Sequence, residues 1–152
     1  MGEEIRAAPL DGVDATMLVA AFTDEIVDRY PTWTPASGPS AHPSEFIPPD
    51  GLFVVAYADE APIGCAGFKR IEDQRAEIKR LYVSREGRRD GVARRILEHL
   101  EAAARAAGFV AVRLDTGNQQ PESLALFRST GYQEIADYNR NLFASYWFEK
   151  PL

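Results

Sequence analysis

Residues 77–95 read EIKRLYVSREGRRDGVARR, running from Glu77 to Arg95, and pass from a strand through a loop into a helix. The strand part closes on Leu81-Tyr82-Val83, an apolar, β-favouring run. From Gly91 onward Val92, Ile96, Leu97, Leu100 and Ala104 recur at helical spacing until Gly108, which predicts a helix over 91–107 with those five residues turned inward. The join between strand and helix contains Arg88-x-x-Gly91-x-Ala93. Small residues at such a join let a ligand approach the main chain closely. The first turn of a helix also offers unpaired N–H groups at its positive dipole end, which suits phosphate. Arg88, Arg89 and Arg94 add charge-assisted donors. No Gly-Lys-Ser/Thr follows and no G-x-G-x-x-G triple is present, so neither the Walker nor the dinucleotide pattern applies. A different pyrophosphate-bearing ligand is expected.

Working outward, the runs 52–58, 63–71 and 76–83 are β-rich and separated by the polar turns Asp59-Glu60-Ala61-Pro62 and Glu72-Asp73-Gln74-Arg75, which predicts an antiparallel meander ahead of the long helix. Residues 109–115 form a further buried strand. A short helix starts at Gln120-Pro121-Glu122 and ends before Gly131, and strands over 132–136 and 143–149 close the chain. Near the start, a short extended segment ends at Pro9. Asp11 or Asp14 then caps a helix whose stripe is Val13, Met17, Leu18, Ala21, Phe22 and Ile26. The proline-rich stretch 30–51 reads as an irregular surface connection. Its aromatics Tyr30, Trp33 and Phe46 either face a substrate or pack beneath the loop.

A length of 152 residues suits one hydrophobic core, and 45% hydrophobic with 26% charged residues is the composition of an ordinary folded chain, so one domain over 1–152 is expected. The longest central apolar run, 52–58, is far short of the roughly 20 residues a membrane helix needs. The acidic opening lacks the features of a secretory signal, which predicts a cytoplasmic protein. One cysteine excludes an internal disulfide, and His42 and His99 have no zinc-like spacing, so no metal is expected. A net charge of −6 argues against nucleic acid and anionic membrane as partners. The charge is uneven: residues 79–113 carry nine basic and four acidic side chains, and the rest of the chain is acidic. The basic stretch is either a dock for a small polyanion or a solvated helix face, and the acidic remainder favours a cationic acceptor through long-range attraction.

Arg88-Arg89-Asp90-Gly91-Val92-Ala93, set after a strand and opening a long helix, resembles the phosphate-binding signature of the GNAT superfamily of acyl-CoA-dependent N-acyltransferases. The stretch 118–132, with Asn118 after a strand and a short helix ending in Gly131-Tyr132, is similar to the second motif of that family. The likeness spans nearly the whole chain. It implies an α/β fold with a mixed, mostly antiparallel sheet of about six to seven strands flanked by helices. It further implies acetyl transfer from acetyl-CoA to a primary amine, on a small molecule or a peptide. Main-chain groups of Leu81, Tyr82 and Val83 would meet the pantetheine arm as a pseudo-strand, and residues Arg88, Arg89, Asp90, Gly91, Val92, Ala93 and Arg94 would hold the pyrophosphate. Asn118 would bond the pantetheine or admit the amine.

Acyl transfer needs a neutral amine, hence a group to take its proton. Glu77, 11 residues before Arg88, resembles the strand glutamate that serves as base in the histone-acetylating branch. The alternative is a solvent-facing glutamate paired with Lys79 or Arg80, because alternation puts Glu77, Lys79 and Leu81 on one face and Ile78, Arg80 and Tyr82 on the other. Phe127 stands where the family often has a tyrosine that protonates the departing thiolate; Tyr82, Tyr138 and Tyr146 are the candidate substitutes. Tyr30, Trp33 and Tyr138 are candidates for the acceptor site, and the segment Tyr138-Asn139-Arg140-Asn141 is either a wall of that site or a dimer contact. Cys65, between Gly64 and Gly67, reads as a buried structural thiol. With no convincing nucleophile, direct attack in a ternary complex is favoured over an acyl-enzyme. A non-catalytic acyl-CoA sensor is the alternative, and a homodimer is the base-rate assembly.

Overall fold

The computed structural model describes residues 3–34 and 41–152. Residues 35–40 of the proline-rich connection, with Met1 and Gly2, lie outside the described residues. The elements in order are β1 (Glu3–Ala7), α1 (Val13–Arg29), β2 (Gly51–Ala58), β3 (Ala61–Glu72), β4 (Arg75–Val83), α2 (Val92–Ala106), β5 (Ala111–Thr116), α3 (Pro121–Ser129), β6 (Gln133–Ile135) and β7 (Tyr146–Pro151), with short 3₁₀ turns at Pro43–Phe46 and Arg85–Gly87. The strands form one seven-stranded sheet in the order β1-β2-β3-β4-β5-β7-β6. Among the described residues only the β4–β5 pair is parallel, and every other pair is antiparallel. This is the mixed, mostly antiparallel α/β arrangement that the family resemblance implies. No helix among the described residues is long and apolar enough to cross a membrane.

Strand alternation sorts the core into two layers. Val54, Ala56, Ala66, Phe68, Ile78, Val112, Leu114 and Phe148 face the side covered by α2, where all five residues picked out by its period are buried. Each large side chain buried there is worth about 1.5–3 kcal/mol. Phe53, Val55, Tyr57 and Cys65 face the other side and pack with Ala15 and Leu18 of α1.

The stripe expected for α1 needs correction: Val13 is 87% exposed and Met17 53%, while Ala15, Leu18 and Ile26 are buried. Leu18, Phe22 and Ile26 at four-residue steps set the inward direction, and at about 100° per residue Met17 is turned off it. Nor does an aspartate cap this helix. Gly12 is its N-cap without a side-chain hydrogen bond, and Asp14 instead accepts a 2.6 Å hydrogen bond from the Tyr57 hydroxyl.

The feature that positions the site is a bulge in β4. Cys65 pairs with Tyr82 but Gly67 with Lys79, so one residue of β3 opposes two of β4. Arg80, at the bulge, has φ of 63°. The extra residue reverses the side-chain phase beyond it. The expected alternation therefore holds only through Lys79: Leu81 and Val83 pack with Ile78 against the α2-side core, whereas Tyr82 crosses to the α1 side beside Cys65 and meets Phe22 edge to face. Pairing between β4 and β5 is likewise confined to Arg75–Glu77 against 111–113. Beyond Glu77 the two strands part, and the sheet is open in its middle.

Gly67, beside the bulge, is wedged so tightly that a Cβ would stand 2.5 Å from Phe53 Cδ1 and 2.7 Å from the Leu52 carbonyl oxygen. Gly67→Ala should destabilise the fold by about 1–3 kcal/mol, the usual range for overpacking. Urea unfolding checks this, and an unchanged midpoint would refute it.

Candidate active site

The opening in the sheet leads to a groove of about 500 Å³. One wall is the β4 edge, Leu81, Tyr82 and Val83; the other is the loop and first turn of α2, including Arg88, Arg89, Gly91, Val92, Ala93 and Arg94. Gly91 is the N-cap of α2 at φ 77°, without a side-chain cap, and Arg89 has φ of 70°. The first intrahelical bond runs from the Arg95 N–H to the Gly91 carbonyl, so the preceding amides of the turn have no partner within the helix. Arg88 is used internally: its Nε donates to the Val83 carbonyl at 2.8 Å, and its guanidinium pairs with Glu25 of α1. Arg89 and Arg94 are exposed and carry no ion pair or hydrogen bond among the described residues. Asp90 is exposed and off the groove wall, and Asn118 is exposed and lines neither this groove nor the cavity beside it.

That adjoining cavity, of about 140 Å³, shares Phe22, Ile26, Leu81, Gln120 and Ser123 with the groove. Tyr30, Trp33 and Phe143 form its aromatic wall, and Lys79, Arg80, Asp115, Thr116 and Asn141 its polar one. Tyr30 and Trp33 thus both line this cavity. Tyr30 is seated there by Gly117, where a Cβ would lie 1.9 Å from the phenol oxygen, and that oxygen accepts a hydrogen bond from the Gln119 N–H at 3.0 Å.

Glu77 stands behind this cavity. It is 3% exposed, so the solvent-facing alternative fails, while the pairing with Lys79 exists at 3.3 Å. Its Oε2 accepts hydrogen bonds from the Tyr138 hydroxyl at 2.8 Å and the Asn139 Nδ2 at 2.9 Å. The same Asn139 amide donates to Asp115 Oδ2 at 2.6 Å, and Asn141 Nδ2 donates to Asp115 Oδ1 at 3.2 Å. Trp147 Nε1 holds the Asn139 carbonyl oxygen at 2.9 Å, which fixes which way that amide faces. Asp115 is the carboxylate on the cavity wall. Burial, with the Glu77 charge adding to it, pushes its pKa above the usual aspartate value against the pull of Asn139 and Lys79. Burial and the Glu77 and Asp115 charges keep the Tyr138 hydroxyl protonated, so Tyr138 serves as a donor to Glu77 and does not line the cavity. Phe127 lies in the core against Tyr132 and Phe148. Thr116 Oγ1, on the cavity wall, is buried without a hydrogen-bond partner among the described residues.

The sequence points to Arg80 only as a partner of Glu77 and to Asn139 only within the segment 138–141, which the structure makes a support of the carboxylate pair; Asp115 and Thr116 join the site only in the folded chain. The signal for Asp115 was its place at the end of a buried strand with an outward phase. Its relevance depends on the β4–β5 gap, which no local pattern reveals.

The opened sheet, the amide-rich helix start and the adjoining cavity thus lie side by side. Residues 18–132 match the model of the acetyltransferase (GNAT) family. An IAA acetyltransferase of Azospirillum brasilense is 35% identical over 112 residues, 68% of this chain and 70% of that protein. N-acetyltransferase 8 of Homo sapiens is 32% identical over 87 residues, 54% of this chain but only 38% of the relative. The crystal structure of PaiA N-acetyltransferase from Thermoplasma acidophilum in complex with coenzyme A shares the fold, with a TM-score of 0.73 at 20% identity over 100% of both chains. The chain belongs to the GNAT acetyltransferase family and is an acyl-CoA-dependent N-acetyltransferase.

Cys65 is fully buried, its thiol donates to the Arg80 carbonyl at 3.4 Å, and burial pushes its pKa up to about 12. The native protein should therefore resist a thiol-specific disulfide reagent at mildly alkaline pH and react fully once unfolded in urea. Rapid labelling of the native chain would contradict the burial.

Proposed function

We propose that the chain transfers an acetyl group from acetyl-CoA to a primary amine by direct attack, with both substrates bound together. The observation that carries this reading is the bare β4 edge beyond the bulge, placed beside an uncapped helix start. A ligand that is part amide chain and part pyrophosphate fits that pair of features. Leu81, Tyr82 and Val83 would offer main-chain groups to the pantetheine, and the turn from Arg88 to Arg94 would hold the phosphates, with Arg89 and Arg94 as its free cations. Acetyl-CoA supplies an activated thioester whose thiol, with an ordinary pKa of about 8.5, is a tolerable leaving group without a tyrosine at Phe127. N–H groups near Leu81 and Tyr82 would meet the charge that develops on the carbonyl oxygen.

The acceptor ammonium loses its proton to the Glu77–Asp115 pair. Asp115 faces the cavity; Glu77 behind it shares the Asn139 amide and holds Lys79. Burial raises the affinity of Asp115 for the proton, which brings it closer to working pH. Tyr30 and Trp33 would flank the acceptor. The same proposal keeps the expected cytoplasmic setting and homodimer.

Four measurements test it. Calorimetry should show acetyl-CoA binding, and Gly91→Val should weaken it about tenfold or more, because a branched residue at positive φ costs about 1–3 kcal/mol. Release of free CoA with an amine panel separates the enzyme from a silent sensor. Asp115→Asn and Glu77→Gln should each lower kcat, by about 10²–10⁴ for the proton acceptor itself, with CoA affinity intact. Because burial raises the Asp115 pKa, activity should fall with acidification at a pH above the ordinary carboxylate range, and that limb should vanish in Asp115→Asn. An unchanged limb rejects the assignment.

A further inference from the structure

Arg6, Arg70, Arg88, Arg95 and Arg128 are exposed and ion-paired; the remaining arginines but one fall into two further groups. Those with buried or half-buried heads are paired: Arg29 with Glu25 and Glu122, Arg75 and Arg113 with Glu149. Those without a partner among the described residues, Arg85, Arg89, Arg94, Arg105 and Arg140, are exposed and keep their charge in water. Arg80 belongs to neither group. It is half-buried, lines the inner cavity and not the CoA-side groove, and no carboxylate, carbonyl or ring among the described residues meets its guanidinium. Burial works against its charge, lowering its pKa from the ordinary arginine value, with only the Cys65 thiol opposing. A cation taken part-way out of water is normally paired, since its desolvation is otherwise uncompensated. Its place is set by the backbone, because the bulge that opens the sheet puts Arg80 at φ 63°.

The rest of the cavity's charge is already accounted for. Lys79 is paired with Glu77. Asp115 is held by two amides and makes no ion pair with Arg80. Among the described residues the small cavity therefore presents the Asp115 carboxylate on β5 and the unneutralised Arg80 cation on β4, with aromatic side chains beside them.

We infer that the acceptor is an amino acid, or a similarly compact amine bearing a carboxylate, and that Arg80 is the residue that binds its carboxylate while its amine faces Asp115. A guanidinium takes a carboxylate through two parallel N–H···O bonds, which fixes orientation as well as charge. With the carboxylate anchored at the bulge, the amine is held near the open strand edge, and the side chain is left to Tyr30, Trp33 and Phe143. This reverses the preference drawn from net charge alone: the acidic surface favours cations at a distance, but the cavity selects a zwitterion. The inference rests on the acetyl-transfer reading above and specifies its substrate.

The test is CoA release from acetyl-CoA with matched pairs, phenylalanine against phenethylamine and leucine against isoamylamine. The wild-type protein should favour the amino acid of each pair by tenfold or more in kcat/KM. Arg80→Gln should abolish that preference by raising KM for the amino acid, with kcat/KM for the amine and KM for acetyl-CoA changed less than about threefold. Arg80→Asn, a residue that tolerates positive φ, guards against a folding failure and should behave alike. Arg80→Lys should restore part of the preference. A wild-type protein that prefers the amines, or acetylates no member of either pair, overturns the amino-acid assignment, as does undiminished preference in both neutral variants. Calorimetry keeps the two levels apart, since acetyl-CoA binding with no amino-acid preference sinks only this inference, whereas no binding at all sinks the transferase reading beneath it.

Discussion

One extra residue in one strand governs this molecule. Had β4 continued in register past Lys79, its edge would have been free to go on pairing with β5 and the centre of the sheet would have closed. The bulge at Arg80 prevents that, and pairing stops after Glu77. A strand edge with unpaired amides in the middle of a sheet is normally a liability. Here it lies beside an uncapped helix start, so two sets of main-chain donors without partners in the sheet or helix face one groove, the pair of features on which the proposed acetyl-CoA site draws.

The bulge also decides where charge goes. By reversing the phase of β4 it sends Tyr82 across to the α1 side, returns Leu81 and Val83 to the core, and leaves Glu77, Lys79 and Arg80 close to the opening. Two carboxylates on neighbouring strands would repel one another without relief. The Asn139 amide shared between them, the Lys79 ammonium and the Tyr138 hydroxyl supply it. Trp147 locks Asn139 in turn. Such a partnered buried network is stiff, so the half-buried Arg80 guanidinium, without a partner among the described residues, stands out chemically.

Much of the architecture was legible in local patterns because those patterns report burial directly. The α2 stripe succeeded in full: a 3.6-residue period with a terminating glycine leaves little freedom in which face turns inward. The α1 stripe succeeded only in its second half, since Val13 and Met17 are apolar yet project into solvent, and the pull of Tyr57 on Asp14 is a tertiary contact. Period-2 reasoning placed Glu77 and Lys79 together correctly and then misplaced Leu81 and Tyr82, because a bulge has no reliable sequence mark when its positive-φ residue is an arginine.

What the chain's order of residues determined by itself is the succession of strands and helices, the basic, glycine-bearing turn into the long helix, and through them the family. Those depend on neighbours a few positions apart, whose spacing carries the physics. Only the tertiary structure decided which carboxylate reaches the cavity, that Asn139 joins Asp115 to Glu77, and that Arg80 is left without a counter-ion among the described residues. Each of those depends on groups drawn from β4, β5 and the 138–147 segment, tens of residues apart, and they meet only because the opened sheet brings their ends to one place.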